Sequence, residues 1–271
     1  YYSLSTLNSA TLNDNFFQHL FSKDILKEKD INEKIDIYFA RSNVLHHKKN
    51  YIDSAQFLTL ANSLKLSIRK SDIKPLLDKS KYLFIESNEL GIIHQKDISS
   101  SEYIFIVGMP RSGSTLLESI ISMNNNVDDL GESNIFEEMF LEWGRIKNMG
   151  NKDNLADLYQ QKIRKITNRI SITTNKWLYN YQYAGIISGQ LPTAKIIHCY
   201  RNPLDNILSI YRAHFHKGNT YSSSLVDCAR VYLDQEEIMT EYKNRFRSKI
   251  YDLNYDSLVR DHNQEIKSLI S

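Results

Sequence analysis

The chain has 271 residues, 41% hydrophobic and 24% charged, with 34 Lys+Arg against 32 Asp+Glu and a net charge of +2. This describes a soluble, globular protein long enough to bury a sizeable core, and the near-neutral balance gives no general footprint for nucleic acid or a strongly acidic partner. The two cysteines, Cys199 and Cys228, form neither a disulfide framework nor a metal-ligand spacing, which fits a reducing, cytoplasmic location. No apolar run reaches the ~18 residues of a membrane span, and no signal-peptide pattern is present.

Residues 1–98 carry one glycine, Gly91, and no convincing strand, and they read as helical. Between Ile35 and Lys70, the residues Tyr38, Ser42, Tyr51, Ser54, Leu58 and Ala61 fall near the large and small positions of a tetratricopeptide helix pair. Ser42 and Ser54 stand where Gly or Ala is usual, and an ordinary helical hairpin fits the same pattern. One unit alone would be a terminal piece of a stack. Adjacent His46 and His47 point in different directions on a helix and read as solvated. The stretch 92–101, with serines at 99–101, reads as a linker, so the expected organisation is a helical segment over 1–98 and a second domain over 101–271.

The second domain opens with YIFIVGMPRSGSTLLESIISM, Tyr103 to Met123. Tyr103 to Val107 is a short apolar run suited to a strand covered on both faces. Gly108, Pro110 and Gly113 then mark a turn, Ser112 and Ser114 are candidates to cap a helix, and Leu116, Leu117, Ile120 and Ile121 fall on one helical face. A strand, a glycine turn and a helix N-terminus aim backbone N–H groups at one point, which suits a phosphate-like anion. Gly108 and Gly113 are spaced as in a nucleotide triphosphatase loop, but Ser114 stands where that loop needs its lysine, and the cation, Arg111, sits earlier.

Asn124 to Gly131 is polar and turn-rich, and Glu132 precedes a helix capped by Ser133 or Asn134; Glu137 and Glu138 read as its solvated face. Asn154 to Arg169 is an amphipathic helix buried through Leu155, Leu158, Ile163 and Ile166. ISITTN then reads as a strand with Lys176 at its end, followed by the aromatics Trp177 and Tyr179. In KIIHCYRNPLDNILSIYRAHF, Lys195 to Tyr200 is another strand and Arg201 lies at its end. Pro203 opens a helix in which Leu204, Ile207, Leu208 and Tyr211 share an apolar face and Ser209 lies off it. His198, inside the strand, reads as structural. KIYDLN is a further strand, running into Tyr255 and Asp256.

GMPRSGSTLLE resembles the 5′-phosphosulfate loop of sulfotransferases that use 3′-phosphoadenosine 5′-phosphosulfate (PAPS), in particular the branch with tetratricopeptide repeats and its tyrosylprotein sulfotransferase relatives. Arg201 and Ser209 match that family's strand-end arginine and the serine eight residues on, which bind the 3′-phosphate. The resemblance implies a P-loop-like parallel sheet flanked by helices, the sulfotransferase fold, preceded here by an all-helical tetratricopeptide-like segment. It implies transfer of a sulfonate group from PAPS to an acceptor hydroxyl, leaving adenosine 3′,5′-bisphosphate, with no metal.

By the same resemblance, Arg111, Ser112, Gly113, Ser114 and Thr115 would form the loop. Arg111, Ser114, Thr115 and Lys176 would stabilise charge on the leaving 5′-phosphate, Glu132 would be the base in a partly dry pocket, and Tyr255 would approach the adenine. Three departures stand out: Asn175-Lys176 replaces the frequent Asp-Lys, Asp256 and Ser257 replace two acids after the tyrosine, and the chain stops before the family's basic closing loop. It opens YYSLS without methionine, and so reads as part of a longer protein. A peptide tyrosine, a glycan and a small metabolite are the candidate acceptors, and the helical segment could contact a protein. The rival readings are a P-loop kinase or triphosphatase, weakened by Ser114 and by the lack of a strand-end aspartate for magnesium, and a non-catalytic helical-repeat binding protein.

Overall fold

The structure, a computed structural model, describes residues 1–6, 14–93, 102–149, 154–167, 172–215 and 218–270. Most of the expected linker therefore lies outside the described residues. Contacts divide the chain into two units, residues 1–73 with 207–230, and residues 74–206 with 231–271.

The first unit is helical, with α1 (Tyr2–Ser5), α2 (Asp14–Phe21), α3 (Ile31–His47) and α4 (Tyr51–Ile68). A capping box starts α3: Asp30 accepts from the Glu33 N–H, and the Glu33 carboxylate accepts from the Asp30 N–H. The Asn50 side chain caps α4. Ser42 and Ser54, read as small positions, are where the two helices meet. Their hydroxyls lie 3.1 Å apart, and Ser54 Oγ donates to the Ser42 carbonyl at 2.8 Å, so the close approach leaves no hydroxyl unsatisfied. Ile35, Phe39, Leu58 and Ala61 form one core cluster and Leu20, Ile25, Ile37, Ala40 and Val44 another. His46 departs from expectation: it is half-buried and accepts a hydrogen bond from Arg212 at 2.7 Å, whereas His47 is exposed.

The second unit begins with α5 (Lys74–Leu90), which the sequence pattern grouped with the preceding helices. Tertiary contacts decide otherwise, because Leu83 enters the sheet unit's core and the Gln182 amide donates to the Leu76 carbonyl and to Ser80 Oγ at 3.0 and 2.9 Å. Five parallel strands, β1 (Glu102–Gly108), β2 (Val127–Asp129), β3 (Ile172–Asn175), β4 (Ala194–Tyr200) and β5 (Ile250–Asn254), pair in the order β2-β3-β1-β4-β5. Phe105 is in register with Asn175 on one side and Ile196 on the other, and Gly108 with Cys199. The second unit's further helices are α6 (Ser114–Ile121), α7 (Ile135–Asn148), α8 (Leu155–Ile166), α9 (Ala184–Gln190), the first residues of α10 (Pro203–Arg212), the greater part of α11 (Leu225–Arg245), α12 (Tyr255–Arg260) and α13 (His262–Ile270); residues 207–212 of α10 and 225–230 of α11 fall in the first unit. Phe105, Val107 and Ile196 enter one core with Phe136, Tyr159 and Tyr242, while Ile106, Ile197, Cys199 and Leu253 enter another with Leu117 and Leu258. Burial of both sheet faces is why the strands read as unbroken apolar runs.

Several local expectations change. β2 falls in the stretch read as a turn: Val127 is its only apolar residue, and pairing with β3, Val127 to Ile172 and Asp129 to Thr174, makes it a strand. On α10 the buried residues are Asn206 and Ile210, and Leu204 and Leu208 are exposed; Leu116 on α6 and Ile166 on α8 are exposed as well. Glu137 is half-buried and paired with Lys79 at 2.5 Å rather than solvated. No helix among the described residues is long and apolar enough to cross a membrane.

Candidate functional site

Five of the residues singled out by sequence stand just beyond the carboxyl ends of the five strands: Arg111 after β1, Glu132 after β2, Lys176 after β3, Arg201 after β4 and Tyr255 after β5. In open parallel sheets this edge is where ligands bind, at the point where strand order reverses, here between β1 and β4.

The turn after β1 depends on two glycines. Gly108 has φ +142°, and a Cβ there would lie 2.3 Å from the Cys199 carbonyl oxygen, so the end of β4 abuts it directly. Gly113 has φ +90° and is the N-cap of α6; its Cβ would meet the Tyr255 ring at 2.0 Å. Between them Arg111 holds φ +69°, a left-handed conformation that costs a non-glycine residue about 1 kcal/mol or more. Neither Ser112 nor Ser114 caps α6, contrary to expectation: its N-cap is Gly113, which has no side chain to accept from the first turn. Ser112 Oγ is buried without a hydrogen-bond partner. The fully buried Asn206 fixes the turn from α10 by donating to the Pro110 carbonyl at 3.1 Å.

A charge cluster lies beside the helix N-terminus. Lys176 is 4% exposed, donates to Glu132 Oε1 at 2.7 Å, and sits 3.3 Å from Glu118 Oε2 and 3.4 Å from Thr115 Oγ1. Burial pulls its pKa down, but the Glu132 hydrogen bond and the Glu118 and Glu132 charges outweigh burial and leave it raised. Asn175, standing where the resembling family often has Asp, is buried; its amide donates to the Ser133 carbonyl at 2.8 Å and its carbonyl accepts from Asn180 at 2.7 Å, bracing the turn that carries Glu132. The lysine's carboxylate partners are supplied by Glu118 and Glu132. Glu132 itself has a side chain 66% exposed, so the partly dry pocket expected around it is not found. The perturbed carboxyl is Glu118, pushed up to about 7 by burial and a hydrogen bond with Asp129, against the pull of Lys176.

Arg201 lies across the turn. Its guanidinium stacks 5.2 Å from the centre of the Tyr255 ring, its Nε is 3.6 Å from Asp256 Oδ1, and that Nε is buried with no hydrogen bond. Asp256 also accepts from the Asn202 N–H at 3.0 Å. Tyr255 thus touches the glycine turn on one side and Arg201 on the other. Ser209 falls on the part of α10 that belongs to the first unit, half-buried. Trp177 and Tyr179 are half-buried with ring centres 6.0 Å apart. His198 is fully buried and bonded at both ring nitrogens, to Asp252 at 3.0 Å and Gln235 at 2.7 Å.

The sequence pattern passed over Glu118, Asp129 and Asn206. Glu118 was legible as a carboxylate four residues from Ser114 and three from Ile121, on the helix's inner side. Asp129 needed β2, which only pairing reveals; it is also a strand-end aspartate, a feature expected to be missing. Its Oδ1 accepts from the Gly131 N–H at 2.6 Å.

The parallel sheet, with the glycine turn between β1 and the start of α6, defines a P-loop-like α/β fold. Residues 103–271 match the sulfotransferase family, and the chain belongs to that family. It is 25% identical over 260 residues to an uncharacterized protein of Aquifex aeolicus (strain VF5), an alignment covering 86% of this chain and 33% of that protein, so the chain spans about a third of the length of this curated relative. The crystal structure of the sulfotransferase STF1 from Mycobacterium tuberculosis H37Rv matches with a TM-score of 0.39 at 11% identity, over 97% of this chain and 89% of that one, and no residue role is carried across from it.

Proposed function

We propose that the protein transfers a sulfonate group from PAPS to an acceptor hydroxyl and releases adenosine 3′,5′-bisphosphate. The observation that supports this most is a pair of buried donors with no hydrogen-bond partner among the described residues, Ser112 Oγ in the glycine turn and Arg201 Nε beyond β4, with the Tyr255 ring in contact with both Gly113 and Arg201. Buried donors left unmade are costly, and an anion at each would satisfy them. In this reading Arg111, Ser112, Gly113, Ser114 and Thr115 surround the 5′ end, while Arg201 holds the 3′-phosphate as a bidentate fork.

The acceptor oxygen attacks sulfur, the bond from sulfur to the 5′-phosphate oxygen breaks, and its electron pair stays on that phosphate. In this reading Arg111, Lys176 and the α6 N–H groups stabilise the growing charge. Glu132 takes the acceptor proton; its side chain is 66% exposed, which supports access by an acceptor. Tyrosyl peptides lead the acceptor candidates by resemblance alone, with glycans and small metabolites behind them. The domain assignment, drawn in sequence as tetratricopeptide-like helices over 1–98 for contact with a protein and a donor-binding domain over 101–271, belongs to the same proposal with α5 counted among the second unit; the Ser42–Ser54 contact supports its first half.

Sulfur-35-labelled PAPS offered with tyrosyl peptides, glycans and small phenols tests the proposal. Label should move to at least one class, and Glu132→Gln should abolish transfer while keeping bisphosphate affinity within about twofold. Full transfer by the Gln variant would remove Glu132 from its role, and no transfer to any class would count against the activity.

A further inference from the structure

Glu118 is a buried acid that the reaction just described does not use. It is 8% exposed, one turn into α6, with Oε2 3.3 Å from Lys176 Nζ and Oε1 buried without a hydrogen-bond donor. Asp129, at the end of β2, faces the same carboxyl, and its own Oδ1 is already engaged by the Gly131 N–H. The charged groups facing Glu118 are therefore Lys176 and Asp129; Glu132 acts on it through their shared lysine, and Ser114 and Thr115 on its own helix carry no charge.

Resting on the donor reading above, we propose that Glu118 is the counter-ion Lys176 gives up when an anion enters the glycine turn, and that the Glu118–Asp129 pair then takes up one proton from solvent. Two neighbouring carboxylates ionise together only if a cation offsets them. Lys176 is that cation in the empty turn. A phosphate or sulfonate oxygen at the α6 N-terminus competes for the ammonium, adds negative charge beside the pair, and weakens the offset at the same moment. The proton that restores balance settles on the Glu118 side, where burial already favours the neutral form. The same movement frees Glu132 from its 2.7 Å bond to Lys176, so donor binding would ready the base. Glu118 is in this sense a positioning residue.

Proton uptake on binding requires affinity to fall as pH rises, by up to about tenfold per unit above the pKa of the empty site. With Glu118 at about 7, the fall begins near neutrality. Isothermal titration with adenosine 3′,5′-bisphosphate, from pH 6 to 8.5 in two buffers of different ionisation enthalpy, counts the protons directly. The ligand's own phosphate protons enter equally for every variant, so the difference between proteins carries the result. Near pH 8, wild type should take up close to one proton more than Glu118→Gln, whose amide imitates the neutral acid. At pH 8.5 the Gln variant should bind about tenfold or more tightly than wild type, and at pH 6 equally. Asp129→Asn should move the uptake to lower pH. Binding by all three proteins with identical proton counts and parallel pH curves would overturn this inference alone, while no binding by any would overturn the donor reading with it.

Discussion

On the proposed donor reading, replacing Arg201 with alanine should separate the grip on a 3′-phosphate from the grip on the 5′ end. Among the described residues the guanidinium has one weak ionic partner, Asp256 at 3.6 Å, and a buried Nε with no hydrogen bond. A charge-assisted contact to phosphate contributes about 1.5–3 kcal/mol, and loosening the partly exposed pair with Asp256 returns less than about 1 kcal/mol of that. The net loss, about 1–2 kcal/mol, is roughly a 5- to 30-fold rise in the Kd of adenosine 3′,5′-bisphosphate. Adenosine 5′-monophosphate, which lacks the 3′ group, should lose less than about twofold. Titrating both ligands against both proteins closes a double cycle in which the coupling belongs to Arg201 and the 3′-phosphate. Equal losses for the two ligands would mean that Arg201 only shapes the pocket through Tyr255, and no loss for either would remove it from the site.

Other perturbations read other parts of the cluster. Gly108→Ala would force a Cβ to 2.3 Å from the Cys199 carbonyl at φ +142°, and should cost about 2–4 kcal/mol in urea unfolding; a wild-type midpoint would show that the turn yields easily. Lys176→Ala should lower kcat on the order of a hundredfold, whereas a purely structural lysine would leave kcat of the folded fraction unchanged. Glu118 holds its proton more tightly folded, at about 7 against an ordinary 4.5, so its contribution to stability is complete below about 4.5 and is lost as pH rises to about 7. At about 1.4 kcal/mol per unit this loss is at most about 3.5 kcal/mol. Glu118→Gln, which cannot ionise, should melt like wild type at pH 4.5 and above it at pH 8; a lower melting point at pH 8 would show that the ionised form stabilises the fold.

The site was legible in sequence where chemistry and local geometry coincide. Gly108, Arg111 and Gly113 sit in one turn, Arg201 follows an apolar run, and Tyr255 follows the short stretch Ile250–Asn254, so strand-end placement could be read from the local pattern. What was not legible depends on contacts distant in sequence. Val127–Asp129 becomes a strand only through β3, and without it Asp129 has no visible relation to Glu118. Helix faces misled for a similar reason: Leu204 and Leu208 have the right spacing for burial, yet α10 turns Asn206 inward because the Pro110 carbonyl needs a donor. The departure at Asn175 looked like a lost partner for Lys176, and the carboxylates that replace it come from α6 and from the turn after β2.

The most direct test compares adenosine 3′,5′-bisphosphate with ATP and magnesium in thermal melts of the intact chain. Bisphosphate at about a hundred times its Kd should add roughly 2.7 kcal/mol, a shift of several degrees, and ATP with magnesium should add far less. A larger shift from ATP with magnesium, or none from either ligand, would contradict a cavity in which the turns after β1 and β4 grip the two phosphorylated ends of one nucleotide.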